Sequence, residues 1–217
     1  MRRVINFFML MIILTLGSVL MSCNKKEFGV TEQYNFNEAY QYLDDDNHVY
    51  GYVKYDELIK LLDSKGTYVI YFGGAWCPNC QAAVPFINKY AKELGIEKVI
   101  NFDVRLDNLS KNMDIRKCND PEQTKMWEKI IRTLNYSSGS NVLYDDMEVL
   151  GSDGKPISTM SVPTIIVYKD GKMLDSLTSE YFYNPEDKTL WDTYTFDGVD
   201  VTDKFINELK DLLNMAL

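Results

Sequence analysis

Hydrophobic positions along the chain recur with two different periods. From Asp56 to Lys65 (DELIKLLDSK), Leu58, Leu61 and Leu62 share one face, which predicts an amphipathic helix ended by Gly66. Thr67 to Phe72 (TYVIYF) is β-branched, aromatic and uncharged, the pattern of a strand buried on both faces of a mixed or parallel sheet; Gly73-Gly74 then breaks it. Helical spacing returns from Pro78 to about Leu94 through Ala82, Ala83, Phe86, Ile87, Tyr90 and Leu94, with Gly95 as the stop. Pro78 suits the first turn, and Pro85 predicts a kink. Lys98 to Val104 predicts a second strand. Thr164 to Lys169 predicts a third, turning at Asp170-Gly171 into Lys172 to Thr178 as its antiparallel partner. Val201 to Leu217 predicts a closing amphipathic helix carrying Phe205, Ile206, Leu209, Leu212 and Leu213. The order βαβ, hairpin, helix is that of an α/β layered sheet.

Two stretches exceed that plan. Residues 105–161 contain a helix with Asn119 or Asp120 as N-cap, Pro121 at its start, and Met126, Trp127, Ile130, Ile131 and Leu134 as an apolar face that must pack on something. Residues 179–200 are loop-like and dense in aromatics, among them Tyr181, Phe182, Trp191 and Phe196, which reads as a satellite hydrophobic cluster.

The N-terminus reads as an address rather than a fold element. Arg2 and Arg3 precede a run without charge from Val4 to Asn24, and Phe7 to Leu16 has the length and flanks of a secretory h-region. The same run is long enough to cross a bilayer as an uncleaved anchor. Leu20-Met21-Ser22-Cys23 resembles a bacterial lipobox, in which the cysteine is diacylated and becomes the new N-terminus. The expected organisation is therefore a signal peptide over 1–22, lipidation at Cys23, a polar tether over 23–34, and a domain over 35–217 with an insertion at 105–161. On that organisation the chain is expected to be an extracytoplasmic, membrane-anchored bacterial lipoprotein.

Composition narrows the function. A hydrophobic fraction of 46% with 13% aromatics supplies a real core, and the net charge of -9 argues against a protein that tracks nucleic-acid phosphates. The single histidine, His48, excludes a His-rich metal site and repeated His-based acid–base chemistry. Asp44-Asp45-Asp46-Asn47-His48 lacks the glycine and distal glutamate of a calcium loop and reads as a solvated turn.

The remaining chemistry lies in Trp76-Cys77-Pro78-Asn79-Cys80. Cys77, at the junction of a strand and a helix, meets unpaired backbone N–H groups and the positive end of the helix dipole, which stabilise a thiolate. Cys80 follows one turn later, within disulfide reach. Cys77 can then attack a substrate disulfide, and Cys80 can resolve the mixed disulfide. A lone Cys-x-x-Cys also looks like half a zinc ribbon, but no second pair follows it, so zinc would need Cys118, His48 or carboxylates. A purely structural disulfide closing so short a loop would constrain the unfolded chain little.

Across roughly residues 55–103 and 160–215 the sequence resembles the thioredoxin superfamily. The likeness is carried by the strand and motif from Tyr68 to Cys80, by Pro85 five residues beyond the second cysteine, by Val162-Pro163-Thr164 before the third strand, and by Gly171 in the hairpin. It implies a thioredoxin-like mixed sheet flanked by helices, with a helical insertion before the cis-proline strand. It further implies that Pro163 is cis and lies against the cysteine pair, that the Val162 backbone is open to an extended substrate segment, and that Trp76 helps shape the site. The expected activity is thiol-disulfide exchange without a bound cofactor, with protein thiols and disulfides as substrates and a redox partner protein. A thioredoxin-fold binding or accessory module of a secretion system is the alternative.

Two departures from the family stand out. Tyr71 occupies the place of the buried aspartate that serves the second thiol in thioredoxins, so resolution would depend on water or another carboxylate. The insertion and the lipobox bring the chain nearer to exported thioredoxin-like proteins, including bacteriocin transport accessory proteins. Cys118 follows Arg116-Lys117 and precedes a helix start, a setting that lowers a thiol pKa; the other reading is a buried cysteine acting as a small hydrophobe.

Overall fold

Strand β2 (Thr67–Phe72) runs through the middle of the sheet, and its last four residues are buried on both faces, as an uncharged TYVIYF segment requires. The computed structural model describes residues 35–107, 110–137, 149–178 and 200–217; the expected export segment and tether, Cys23 and the aromatics of 179–199 lie outside the described residues. Within them α1 (Phe36–Ala39), β1 (Tyr50–Tyr52) and α2 (Tyr55–Leu62) precede β2. Helix α3 (Pro78–Glu93) and β3 (Val99–Phe102) follow, then two 3-10 turns (Lys111–Met113 and Ile115–Lys117) and α4 (Pro121–Leu134). The hairpin β4 (Thr164–Lys169) and β5 (Lys172–Thr178) and helix α5 (Asp200–Asn214) complete the chain.

The strand order is β1-β3-β2-β4-β5. β1, β3 and β2 are mutually parallel, with Val69 opposite Val99, whereas β4 pairs antiparallel to β2, with Ile70 opposite Ile166. The parallel β2–β3 pair needs a long crossover, which α3 supplies. β5 returns antiparallel to β4, with an irregularity between Val167 and Tyr168. The helices pack in two pairs, α3 with α5 and α2 with α4. Phe86 meets Phe205 edge to face at 6.0 Å across the first pair.

The predicted elements are present within two or three residues of their expected ends. Asp120 rather than Asn119 caps α4, accepting from the backbone N–H of Glu122 and Gln123 at 2.9 and 2.8 Å, and Pro121 takes the first helical position. Two elements carry little sequence signal. β1 is three residues with a central glycine, held by its parallel pairing to β3. α1 is a single turn whose Phe36 stacks on Tyr40 and Tyr50 at 5.2 and 4.8 Å. The acidic run before β1 is a turn, as expected, but not a fully solvated one. Asp45 accepts from Lys92 Nζ and Asn88 Nδ2 of α3 at 2.6 and 2.8 Å.

The described part of the insertion is a packed layer. Trp127 of α4 is fully buried and donates to the Ser158 carbonyl at 3.3 Å. Glu128 accepts from Arg132 of its own helix and from Ser152 beyond it. The segment leading into β4 is thereby fixed to α4.

Candidate active site

α3 begins at Pro78, with Cys77 as its N-cap and Cys80 in its first turn. This is the strand-to-helix placement that the sequence predicts for the dithiol. The two cysteines approach to 3.3 Å. Both are reduced, Cys80 wholly enclosed and Cys77 reaching the surface only slightly.

Their acidities are split. Cys77 is pulled below the ordinary thiol range, first by a hydrogen bond from the Cys80 thiol, then by the backbone N–H groups of Cys80 and Asn79 and the charge of Arg116; burial opposes them. The helix-start N–H groups foreseen from sequence thus contribute, but the partner cysteine contributes most. Cys80 is pushed well above its ordinary value, chiefly by burial, then by the hydrogen bond and negative charge of Cys77. The Tyr71 hydroxyl and the Gly74 N–H oppose that rise by hydrogen bonding to the Cys80 sulfur. Tyr71, buried and itself far above an ordinary phenol, is therefore a donor to sulfur rather than a base, and its oxygen lies 3.5 Å from that of Tyr40.

The loop before β4 closes the other side. The Val162–Pro163 bond is cis. The Val162 carbonyl, expected to be open to an incoming strand, instead accepts from the Cys77 thiol at 3.6 Å in this dithiol state. Deprotonation of Cys77 or a disulfide at its sulfur removes that bond.

Trp76 is held from two sides. Its Nε1 donates to Asp103 Oδ1 at 3.0 Å, and the Arg105 guanidinium lies 3.5 Å from the centre of its ring. Arg116 lies behind, 5.8 Å from the same ring. Space at this point is set by Gly74, where a Cβ would collide with the Asp103 carboxylate and the Trp76 indole nitrogen. Gln81 ties α1 to the motif: its Nε2 donates to the carbonyls of Ala39 and Ala75 at 2.8 and 2.7 Å.

Sequence reasoning missed Asp103, and it singled out Arg116 only as a neighbour of Cys118. Asp103 Oδ1 also accepts from the Arg105 N–H, while Oδ2 is buried with no hydrogen-bonding partner among the described residues. Its carboxyl is raised to about 6, primarily by burial. The folded protein thus holds this proton more tightly than the unfolded chain. The resulting contribution is complete below the ordinary value of 3.8 and is lost as pH rises through about 6. The difference of about two pKa units corresponds to up to about 3 kcal/mol. Asp103→Asn keeps an acceptor for Trp76 and removes the ionisation. Urea unfolding is expected to show a stability gain near pH 7 that disappears below pH ~4; a gain independent of pH would contradict it.

Arg116 is drawn away from Cys118. It forms a bidentate pair with Asp114 and donates to the Met160 carbonyl at 2.8 Å, so its charge acts on Cys77. Of the two readings of Cys118 the structure favours the unreactive one: that thiol is raised to about 11, foremost by burial, with added contributions from Glu128, Asp114 and Asp120. Its Sγ donates to the Ile115 carbonyl at 3.6 Å. Limiting iodoacetamide on the reduced protein is therefore expected to label Cys77 first and Cys118 far more slowly. Peptide mapping that found Cys118 labelled as fast as Cys77 would contradict the assignment. Among the described residues no group of His, Cys, Asp and Glu is placed to hold a metal ion.

Three parallel strands, an antiparallel hairpin, a dithiol at the start of the crossover helix and a cis-proline facing it now stand together. The fold is thioredoxin-like. No family model matches the chain, and no curated protein sequence matches it. Similar solved structures include thioredoxin O2 from Arabidopsis thaliana in its oxidised state, at 16% identity over 77% of this chain and 94% of that one, with a TM-score of 0.38. Another is from work on the thiol resolving mechanism of yeast mitochondrial 1-Cys peroxiredoxin via glutathione/thioredoxin systems, at 16% identity over 57% and 76% of the two chains, with a TM-score of 0.30. Overlaps of this size add nothing to the topology, which by itself makes the fold thioredoxin-like.

Proposed function

We propose that the protein is a membrane-tethered, extracytoplasmic thiol-disulfide oxidoreductase working through the Cys77/Cys80 pair without a bound cofactor. The observation that carries this reading is the split acidity of two sulfurs 3.3 Å apart, with the more acidic one at the helix start and facing the cis-proline loop. In the reducing direction the Cys77 thiolate attacks one sulfur of a substrate disulfide, forms the Cys77–substrate bond and releases the other sulfur as thiolate. Two of the influences that raise Cys80, the charge and the hydrogen bond of Cys77, vanish once Cys77 is covalently engaged. The Tyr71 hydroxyl and the Gly74 N–H continue to favour the Cys80 thiolate. Cys80 therefore becomes more acidic at the step that needs it. It loses its proton to water or to the departing substrate sulfur, attacks Cys77 Sγ, and leaves a Cys77–Cys80 disulfide and a reduced substrate. Two electrons have passed to the substrate, and every step can run in reverse.

Trp76, Val162 and Pro163 form the wall against which the substrate lies. The Val162 carbonyl, relinquished by Cys77 on reaction, becomes an acceptor for the backbone of an extended protein client. A redox partner protein resets the pair. The reading is tested by single turnover: each reduced molecule converts one model disulfide and ends as a Cys77–Cys80 disulfide, while Cys77→Ser does nothing. Consumption of disulfide by Cys77→Ser at the wild-type rate would refute it.

The location rests on Leu20-Met21-Ser22-Cys23 and the run before it. The mature chain is expected to begin at a diacylated Cys23 and to partition with membranes, and Cys23→Ala to abolish the lipid modification. An unprocessed Met1 terminus on a membrane-embedded protein, found by mass spectrometry, would instead support a signal anchor.

A further inference from the structure

The insertion brings cations to the nucleophile. Between the dithiol and the segment that follows β3 lies a cavity of about 410 Å³, with Cys77, Trp76 and Pro78 on one side and Arg105, Lys111 and Lys117 on the other. That volume is near the lower end of ligand sites, roughly 300–1,000 Å³, and suits a small molecule or a few residues around one sulfur. Asp114 also lines it, but both carboxylate oxygens are engaged by the Arg116 guanidinium, at 2.9 and 2.7 Å. Asp103 is turned to the Trp76 indole nitrogen and the Arg105 backbone. Among the side chains that line the cavity, three cations face one carboxylate, on a chain whose net charge is -9. Arg105 is held over the Trp76 ring, its guanidinium carbon 3.5 Å from the ring centre, and both side chains line the cavity. Lys111 is exposed at the rim.

We infer that this cavity selects substrates that carry carboxylates beside the reacting sulfur: anionic disulfides, either low-molecular-weight or within an acidic peptide segment. The inference rests on Cys77 being the attacking sulfur and adds to that reading the chemical class of its substrate. Arg105, Lys111 and Lys117 bind and orient the carboxylate, bringing the disulfide onto the Cys77 thiolate. The Asp114–Arg116 pair is the buried frame on which Lys117 stands. No residue of the cavity takes part in the bond exchange except Cys77. The leaving thiolate departs beside the same cations, which stabilise its charge until it is protonated by solvent.

The test uses the reduced full-length protein and two model disulfides of similar size and opposite charge, dithiodipropionate and cystamine. Their rates with Cys77 are each divided by their rates with free dithiothreitol, which removes intrinsic reactivity. At physiological ionic strength the normalised preference for the anionic disulfide is expected to be about tenfold or more, within the range of focused electrostatic attraction. In about 1 M salt, where screening falls to about 3 Å, it is expected to shrink towards unity. In Lys111→Glu/Lys117→Glu it is expected to vanish or reverse, with the circular-dichroism spectrum and unfolding midpoint showing that the variant is folded. Equal normalised rates in the wild-type protein, or an undiminished preference in the double variant, would overturn the inference while leaving Cys77 as the nucleophile. Failure of both disulfides to react would instead overturn the dithiol reading itself, and this inference with it. Peptide disulfides with Asp or Lys flanking the cysteine separate the sources: a preference for Asp identifies acidic clients, and a preference confined to the small disulfides identifies a low-molecular-weight substrate.

Discussion

Arg116→Met is expected to destabilise the protein by about 3–5 kcal/mol and to raise the pKa of Cys77. Arg116 and Asp114 are each only 1% exposed, and their bond is bidentate, so removing the guanidinium leaves a carboxylate enclosed without its counter-charge. The Met160 carbonyl, also buried and three residues before Pro163, loses its donor in the same stroke. Unlike an exposed pair, this one is shielded from solvent and salt, so its removal is felt in full. The double variant Asp114→Asn/Arg116→Met removes the stranded charge and is expected to regain a substantial part of the lost stability. The Cys77 pKa, followed by the ultraviolet absorbance of the thiolate, stays raised in both variants because the nearby positive charge is gone in both. Arg116→Lys keeps a charge but loses the fork and is expected to fall between them. A urea midpoint for Arg116→Met indistinguishable from the wild type would show that the pair is not enclosed in solution.

The residues that the sequence left unread follow a physical pattern. β2, α3 and the β4–β5 hairpin were legible because their signals are local: an uncharged β-branched run, a proline at a helix start, and an Asp-Gly turn. The motif at Cys77 was legible for the same reason. β1 was not, because a three-residue strand centred on glycine owes its existence to β3, nearly fifty positions later in the chain. Asp103 and Arg116 are ordinary charged residues in sequence, and only the tertiary fold places one on Trp76 and brings the charge of the other to bear on Cys77. The basic pair before Cys118 supported one of two readings of that cysteine, and its arginine acts on a different sulfur. Proximity in sequence suggested Cys118, whereas the side chain of Arg116 turns inward to Asp114 and Met160. Tyr71 shows the reverse case: its lack of basicity was legible, and its position as a hydrogen-bond donor to Cys80 needed the structure.

The division of labour between the two sulfurs is the centre of this account, and trapping tests it most directly. Cys80→Ser retains the Cys77 nucleophile and lacks the internal thiol that frees a bound substrate. Mixed disulfides should accumulate as extra bands on non-reducing gels, disappear on reduction, and map to Cys77 by mass spectrometry. Cys77→Ser should give none, because the remaining Cys80 is wholly enclosed, and its burial, the largest of the influences that raise it, is unchanged. A binding module without redox turnover would give no mixed disulfides with either variant and would keep its partner with both cysteines replaced. Trapping by Cys80→Ser alone is the result predicted; equal trapping by the two single variants, or none by either under oxidising conditions, would contradict it.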